Sequence, residues 1–316
     1  MKTTIIIPFL NEGDEPLKTI NNIYDTTSDH NSFEIFLIND EYKHPPFVIP
    51  KYSNLKFIKN PQRLGVSGCR NLGVLMSGSE NIILLDAHMR FYNNYWMEIL
   101  IDNLNKYPRS IITPVNKSVK DDKIDFESNS GRGCKILLKN SDYTRSLDNS
   151  ILSTKWDIDL FFNDEMDIAC IMGGCYALKR NYYKFLDGFN DLHIWGASEQ
   201  FISLKSWMFG GSCKNIPHLI VGHKYKKSNE IKYELHEWYR TYNKLFIIYT
   251  LFPENLVEKA VKELLSLNKE PEVLEHMKDT FLNIIAKRKY YQAFIKNDLY
   301  WYADKFKFDC LAPKMK

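Results

Sequence analysis

The sequence predicts an α/β protein built on a mostly parallel, doubly wound, Rossmann-like sheet and followed by a helical extension. The main observation is that short apolar runs alternate with amphipathic helices through the first third of the chain. A second observation is a long aromatic helix pattern near residue 240, after which only helical patterns follow. Ligands of such a sheet are expected at the carboxyl ends of its strands.

The first third of the chain has the pattern β-α-β-β-α-β. Apolar runs predict strands at 4–9, 33–38, 55–58 and 81–85. The first predicted helix, 15–24, carries apolar side chains at helical spacing: Leu17, Ile20, Ile23 and Tyr24. The second, 67–76, is rich in small residues and follows a turn that contains Gly65.

The middle of the chain is less regular. Residues 116–167 are polar and weakly patterned, which predicts loops with a small antiparallel ribbon. An apolar run at 168–178 predicts a strand interrupted by Gly173 and Gly174. Paired glycines inside a strand indicate either a kink or the close approach of a ligand.

The last part of the chain is predicted to be helical. Residues 231–249 carry one apolar stripe typical of a core-facing helix: Ile231, Leu235, Trp238, Tyr239, Tyr242, Leu245, Phe246 and Tyr249. Further helical patterns follow Pro253, at 256–265 and 277–302. We therefore divide the chain into a main domain, 1–252, and a C-terminal helical extension, 253–316, packed on it.

The composition is that of an ordinary globular protein. The 316 residues are 44% hydrophobic and 26% charged, and a net charge of +3 gives no support to a nucleic-acid partner, although charge alone leaves that class open. We expect no signal peptide, because the N-terminal apolar stretch is short and is soon broken by proline and acidic residues. We expect no membrane span, because no apolar stretch approaches ~18 residues. The six cysteines lack metal-ligand spacing, so we expect free thiols in a cytoplasmic protein.

The triplet Asp86-Ala87-His88 is the first candidate for chemistry. It closes the apolar run 81–85, so two side chains that bind metals lie where a buried strand meets solvent. Alternate residues of a strand share a face, and Asp86 and His88 can therefore converge on one cation. The alternative is structural, because a strand-end aspartate often caps the following turn.

Several motifs in order resemble those of GT-A fold, family 2-like glycosyltransferases over most of the first 250 residues. Residues 5–12 resemble the opening strand of the family, and 34–40 resemble its second strand, although Asn39 stands where the family usually has the first of two acids. Residues 60–73 resemble the segment that covers the nucleotide. Because of His88, the pattern is most similar to the catalytic domain of polypeptide N-acetylgalactosaminyltransferases.

Three later blocks extend this resemblance. Residues 173–178, 188–190 and 195–196, with Trp207, resemble the donor-sugar and acceptor block. Residues 217–223 resemble the late histidine motif, and 237–249 resemble the helix that ends the catalytic domain. The resemblance does not extend to a carboxyl-terminal lectin domain, because the sequence after Pro253 is predicted to be helical.

The resemblance implies a metal-dependent hexosyltransferase that moves a hexose or N-acetylhexosamine from a UDP-sugar to an acceptor hydroxyl or thiol. It implies that Asp86, His88 and His223 bind the cation, and this ligand set suits Mn²⁺ or another divalent cation such as Mg²⁺. The implied donor site consists of Pro8, Phe9, Glu12, Asp40, Arg63, Gly65, Ser67, Asp86, Ala87, Gly173, Gly174 and Trp195.

Glu199 is the candidate catalytic base. Ser198 occupies the usual position of the family's glutamate, and the acid comes one residue later, where inverting relatives commonly carry the base. A base there would deprotonate the acceptor during attack from the face opposite the diphosphate. The alternative is that Glu199 stabilises the start of the helix that runs to Trp207. Inversion and retention both stay open.

The resemblance implies a protein or peptide acceptor. Alternatives within enzymes are a glycan and the hydroxymethylated bases of DNA, the latter kept open by Lys and Tyr residues at 224–242 and 287–291. An alternative of another class is a noncatalytic sugar-nucleotide-binding protein, supported by Asn39 and Ser198 in place of acids. Residues 224–230 are interpreted either as a loop that closes over the diphosphate or as a solvated charge run.

Overall fold

The structure is a computed structural model that describes residues 2–41, 45, 47–141, 147–157, 166–226, 230, 233–267 and 271–309. Its strands are β1 (Thr3–Phe9), β2 (Phe33–Asn39), β3 (Leu55–Lys59), β4 (Asn81–Leu85), β5 (Met89–Arg90), β6 (Ser110–Lys120), β7 (Lys123–Ile124), β8 (Cys134–Ile136), β9 (Thr154–Trp156), β10 (Cys175–Lys179) and β11 (Ser212–His223). Its α-helices are α1 (Glu15–Asp25), α2 (Gly65–Met76), α3 (Trp96–Lys106), α4 (Arg180–Phe185), α5 (Ser198–Met208), α6 (Glu237–Leu251), α7 (Glu254–Leu265), α8 (Pro271–Gln292) and α9 (Leu299–Lys305).

One mixed sheet organises the described residues. Its strand order is β3-β2-β1-β4-β10-β6-β11-β5, with β7 paired to β6. The strands β1 to β4 are mutually parallel where they pair, β11 is parallel to β6, and β10 is antiparallel to both of its neighbours. The predicted α/β class with a mostly parallel sheet is therefore confirmed.

Both faces of the sheet are buried. Along β1, Ile6 belongs to one hydrophobic cluster while Ile5 and Ile7 belong to the other. All seven residues of β1 and all seven of β2 are buried, which explains why these strands appear in the sequence as continuous apolar runs rather than alternating ones. The buried sheet leaves its carboxyl edge as the place for polar groups.

Three predicted elements need correction. The run 168–178 forms a strand only from Cys175, because Gly174 has a φ of +101° and redirects the chain. The helix predicted from Ile231 begins at Glu237; residues 231–232 lie outside the described part, and Tyr233 and Leu235 line a cavity instead of extending the helix. The run 277–302 forms two helices, α8 and α9, and the second begins at the side-chain cap of Asp298.

The insertion between β6 and β10 contains the predicted antiparallel ribbon, formed by β8 and β9. A buried lysine fastens it to α6, since Lys244 Nζ donates hydrogen bonds of 2.7 Å to the hydroxyls of both Ser150 and Ser153. Burial lowers the pKa of Lys244 to about 7. The insertion is thus attached to the main domain through an amine that is half neutral near physiological pH.

The C-terminal helices share the core of the sheet. Buried side chains from this part include Leu256, Ala260, Leu264, Val273, Ile284, Tyr291, Leu299 and Tyr302. The predicted boundary after residue 252 falls between α6 and α7 and stays a prediction. No helix in the described ranges is both long and apolar enough to cross a membrane.

Replacing Lys244 by Met should weaken the pH dependence of stability. Because the folded pKa, about 7, lies below the ordinary 10.5, the unfolded chain binds more protons between these values and wild-type stability rises with pH. The cost of burying the charged Lys244 reduces the free energy of unfolding fully below about pH 7. Above that pH the cost is relieved by at most about 1.4 kcal/mol for each pH unit. Urea unfolding between about pH 7 and pH 9 should show that the free energy of unfolding of the wild type rises with pH relative to that of the variant. A constant difference would contradict the assignment.

Candidate metal and donor site

A cavity of about 360 Å³ opens at the carboxyl ends of β1, β2 and β4. Of the residues predicted from sequence, it is lined by Pro8, Phe9, Glu12, Asp40, Arg63, Gly65, Asp86, Ala87, His88, Gly173, Trp195 and Glu199. Ser67 is buried within α2, and neither it nor Gly174 lines this cavity. Most of the predicted donor site therefore converges on one concave surface.

Asp86, His88 and His223 meet beside this cavity. Asp86 follows β4, and His223 ends β11, where it pairs with Met89. One ligand atom from each of the three residues lies within 4.8 Å of the others. The three side chains come from distant parts of the sequence, so their convergence is a property of the fold.

The environment of His223 fits a metal ion. Both of its ring nitrogens are buried without a hydrogen-bond partner in the described part of the chain, and Nε2 lies 3.4 Å from Asp86 Oδ2, longer than an ordinary hydrogen bond. Burial lowers the pKa of His223, which keeps the imidazole in its neutral, metal-binding form. A bound cation would give one of these two nitrogens a partner.

A second contact orients His88. Its Nδ1 lies 2.7 Å from Glu12 Oε2, which leaves Nε2 available as the ligand atom. Carboxylates that hold the far nitrogen of a metal-binding histidine are common around such sites. Glu12 Oε1 also forms an ion pair with Lys226 Nζ, at 2.8 Å. The predicted donor-site residue Glu12 thus acts here as a support for His88.

Arg70 is a site residue that the sequence reasoning missed. Its buried guanidinium donates from Nη2 to Asp86 Oδ1 at 3.0 Å and from Nη1 to Glu199 Oε1 at 3.1 Å. Burial alone would raise the pKa of Asp86, but contact with His223 and the charge of Arg70 hold it well below its usual range. The sequence signal was a single arginine in a helix of small and apolar residues, since α2 carries no other charged side chain.

Glu199 occupies the first turn of α5. The hydroxyl of Ser198 donates to Glu199 Oε2 at 2.8 Å, while Arg70 holds Oε1. The cap position of the helix is Ala197, and its φ is +61°. The carboxylate is therefore engaged by side chains, and it lines the cavity as predicted.

Asp40 has a structural task in addition to lining the cavity. Its Oδ1 accepts from the backbone amide of Leu64 at 2.7 Å and from Asn60 Nδ2 at 3.0 Å, and its Oδ2 accepts from the amide of Gly65 at 2.7 Å. These bonds secure the turn into α2. The role of Asp40 in the implied donor site, a contact to the nucleotide base in similar enzymes, stays a prediction.

Gly65 allows two walls of the cavity to touch. A Cβ atom at this position would lie 2.1 Å from the carbonyl oxygen of Ile194, and the φ of +74° also favours glycine. The amide of Val66 donates to that same oxygen at 3.1 Å. The start of α2 is thus pressed against the loop that carries Trp195.

Part of the predicted closing loop is described. Lys224 Nζ pairs with Glu15 Oε1 at 2.7 Å, and Lys226 lines the cavity together with Tyr233. Residues 227–229 lie outside the described part. Neither Lys226 nor Tyr233 was singled out as a site residue, because a charge run in sequence is most often a solvated surface.

A second cavity of about 410 Å³ adjoins the first. Asp86, Gly173 and Glu199 line both cavities. The second is also lined by Trp156 and Tyr225, whose rings lie edge to face with centroids 6.4 Å apart. Both rings are partly exposed, 45% for Trp156 and 42% for Tyr225. The two carboxylates therefore lie at the boundary between two concave surfaces.

The family "Glycosyl transferase family 2" matches residues 4–186. The chain is 27% identical to human "Polypeptide N-acetylgalactosaminyltransferase 10" over 233 residues, 71% of this chain and 38% of that protein. It is 26% identical to "Inactive polypeptide N-acetylgalactosaminyltransferase-like protein 5" of Macaca fascicularis over 247 residues, 71% of this chain and 52% of that protein. The predicted resemblance is confirmed, and the chain spans only about two fifths to one half of these relatives.

A solved structure shows a similar fold. The crystal structure of GalNAc-T7 with UDP, GalNAc and Mn²⁺ matches with a TM-score of 0.67 and 16% sequence identity, covering 97% of this chain and 56% of that chain. At this level of identity the similarity concerns the fold. The predicted GT-A fold is thereby confirmed.

His223→Ala should weaken the binding of Mn²⁺ by about tenfold or more in the presence of UDP, since it removes one of three protein ligands. Stability should fall moderately, because the variant loses the buried ring that packs against Tyr225 and His88, although its nitrogens make no hydrogen bond in the described structure. Calorimetric titration with Mn²⁺ measures the first effect and thermal unfolding the second. His236→Ala, which removes a half-exposed histidine, is the matched control. Unchanged Mn²⁺ affinity of His223→Ala would contradict the ligand assignment.

Proposed function

The chain belongs to glycosyl transferase family 2, and we propose that it moves a sugar from a UDP-sugar to an acceptor hydroxyl or thiol in a metal-dependent reaction. The observation that carries this proposal is the pair of orphaned nitrogens of His223, which lie beside Asp86 and His88 at the donor cavity. The relatives support the same assignment: GalNAc-T7 was solved with UDP, GalNAc and Mn²⁺. A hexose or N-acetylhexosamine is the proposed donor sugar.

Asp86, His88 and His223 would hold a divalent cation, with Mn²⁺ the first choice and Mg²⁺ the second. Such a cation supplies Lewis-acid stabilisation of the diphosphate leaving group. The chain adds positive charge of its own to the cavity wall, from Lys226 and Arg63. Phe9, Leu10 and Trp195 contribute apolar surface to the same wall and exclude water from it.

Glu199 is proposed to take the proton of the acceptor. Its two oxygens offer about four acceptor sites, of which Arg70 and Ser198 use two. The carboxylate therefore keeps lone pairs for a further hydrogen bond, and it lies where the two cavities meet, since it lines both of them. An acceptor hydroxyl that enters from the second cavity would meet this carboxylate before it reaches the donor cavity.

A protein or peptide is the proposed acceptor. The names of the relatives support this class, since several are polypeptide N-acetylgalactosaminyltransferases. The second cavity supports it independently, because Trp156 and Tyr225 give it an exposed aromatic wall suited to apolar side chains. The surface next to Glu199 is thus large enough for more than a single hydroxyl.

A noncatalytic sugar-nucleotide-binding protein is the second candidate. The observation in its favour is that Asn39 and Ser198 replace acids of the family pattern, and one relative at 26% identity is named as inactive. The two candidates differ in turnover. A pure binder is stabilised by a nucleotide sugar but releases no sugar from it.

A panel of UDP-sugars with Mn²⁺ tests the proposal. Thermal shift should identify a donor, and release of UDP from that donor, with and without peptides rich in Ser and Thr, should show turnover. Glu199→Gln should lower kcat by about a hundredfold or more while UDP affinity is kept, and Glu258→Gln, an exposed acid on α7, is the control. Binding of a donor without any turnover would favour the binder; full activity of Glu199→Gln would remove Glu199 as base.

Gly173→Ala should fold normally and impair transfer. A Cβ here meets Glu199 Oε1 at 3.5 Å and Asp86 Oδ2 at 3.9 Å, which are ordinary contact distances, so no strain is expected. The added methyl group nevertheless lies between the two carboxylates where the cavities join. We expect an unchanged melting temperature and a kcat lower by about tenfold or more, in line with the sensitivity of transfer to small misplacements. Wild-type kcat in this variant would show that the reacting groups do not pass Gly173.

A further inference from the structure

We propose that α8, a helix of the C-terminal extension, is a positioning element of the sugar-transfer site. It holds residues 187–193, which lead directly into Trp195 and Glu199. This inference rests on the proposed function in so far as that function places Trp195 at the donor and Glu199 at the acceptor. It assigns to the extension a role in the reaction beyond packing.

Three polar side chains of α8 hold two aspartates of this segment. Lys287 Nζ pairs with Asp187 Oδ2 at 2.6 Å and with Asp191 Oδ2 at 3.1 Å. The hydroxyl of Tyr291 donates to Asp187 Oδ2 at 2.7 Å, and Asn283 Nδ2 donates to Asp191 Oδ1 at 2.8 Å. Both aspartates are thus bound twice by the same helix.

A fourth contact joins α8 to the end of the segment. The imidazole of His276 meets that of His193 through their Nε2 atoms, and Tyr242 of α6 packs edge to face against both rings. Counted from His276, the four side chains of α8 lie at i, i+7, i+11 and i+15, which places them along one side of the helix. One continuous face of α8 therefore follows residues 187–193.

The backbone of the segment needs such support. Asp187 and Asp191 have φ values of +56° and +66°, in the left-handed region that side-chain-bearing residues rarely adopt. Backbone strain of this kind persists where surrounding contacts determine the conformation. These two are the non-glycine residues of the segment with positive φ, and they are the same two that Lys287 binds.

The end of the segment is coupled to the site through hydrogen bonds of one asparagine. Asn243 of α6 accepts from the amide of His193 at 2.7 Å and donates to the carbonyl oxygens of His193, Trp195 and Gly196 at 2.8–3.1 Å. Ala197, with a φ of +61°, then starts α5, and Glu199 lies in its first turn. A shift of residues 187–193 would therefore move the wall and the proposed base together.

The metal ligands do not depend on this segment. Asp86 and His88 follow β4, and His223 ends β11, so the groups that would hold the cation and the diphosphate are fixed by the sheet. Loss of the contacts of α8 should consequently separate two properties. UDP binding should persist while sugar transfer falls.

The test compares Lys287→Met with Lys287→Arg. In the Met variant, hydrogen–deuterium exchange of residues 187–199 should rise, UDP affinity in the presence of Mn²⁺ should stay within about threefold, and kcat should fall by about tenfold or more. The Arg variant restores a cation to Asp187 and Asp191 and should recover slow exchange and most of kcat. Leu282→Ala, a side chain 82% exposed on the same helix, is the matched control and should resemble wild type.

The exchange measurement keeps the inference separate from the proposed function. If Lys287→Met leaves both the exchange of residues 187–199 and kcat as in wild type, α8 does not hold the segment and the inference is overturned. Equal loss of kcat in the Met and Arg variants would also overturn it. If exchange rises in the Met variant and returns in the Arg variant while the wild type turns over no UDP-sugar, α8 holds the segment and the proposed function fails instead.

Discussion

The arrangement of the site depends on the two ion pairs of the buried Arg70 guanidinium. Burying a charged group is costly unless it pairs with groups of opposite charge, and removing one partner of a buried ion pair costs about 3–5 kcal/mol. In the described ranges, the carboxylates that pair with Arg70 are Asp86, at the end of β4, and Glu199, in the first turn of α5. One cation from α2 thus fixes the distance between a metal ligand and the proposed base.

The other side of Asp86 shows the complementary situation. Arg70 donates to Oδ1, whereas Oδ2 lies 3.4 Å from His223 Nε2, a long contact, and the imidazole nitrogens have no hydrogen-bond partner in the described structure. Buried polar atoms without partners are uncommon because each costs about 1–3 kcal/mol. In His223 both ring nitrogens carry that cost, and they do so where Asp86, His88 and His223 converge. This unsatisfied imidazole next to an ion-paired carboxylate is consistent with the proposed cation site.

The sequence predicted the parts of the fold that local patterns determine. Strands buried on both faces appear as apolar runs, and β1, β2 and β4 were therefore found close to their observed ends. The metal ligands were predicted through a family resemblance, since nothing local joins His223 to Asp86. Arg70 was missed as a site residue because its two partners are 16 and 129 positions away. The start of α6 was misplaced because Leu235 continues the apolar stripe in sequence but lines a cavity in the structure.

The sequence pattern of the paired glycines left two interpretations open, a kink or the close approach of a ligand. In the structure the two glycines differ: one turns the chain, and the other leaves space in the cavities. Gly174 has a φ of +101°, and its carbonyl oxygen accepts from the amide of Asp86 at 2.8 Å, so it turns the chain into β10 while securing the end of β4. Gly173 has no such conformational demand. It lines both cavities and leaves open the space between the carboxylates of Asp86 and Glu199. Gly173 is needed for its missing side chain and Gly174 for its backbone, and together they leave a passage between the two cavities directly beside the candidate metal ligands.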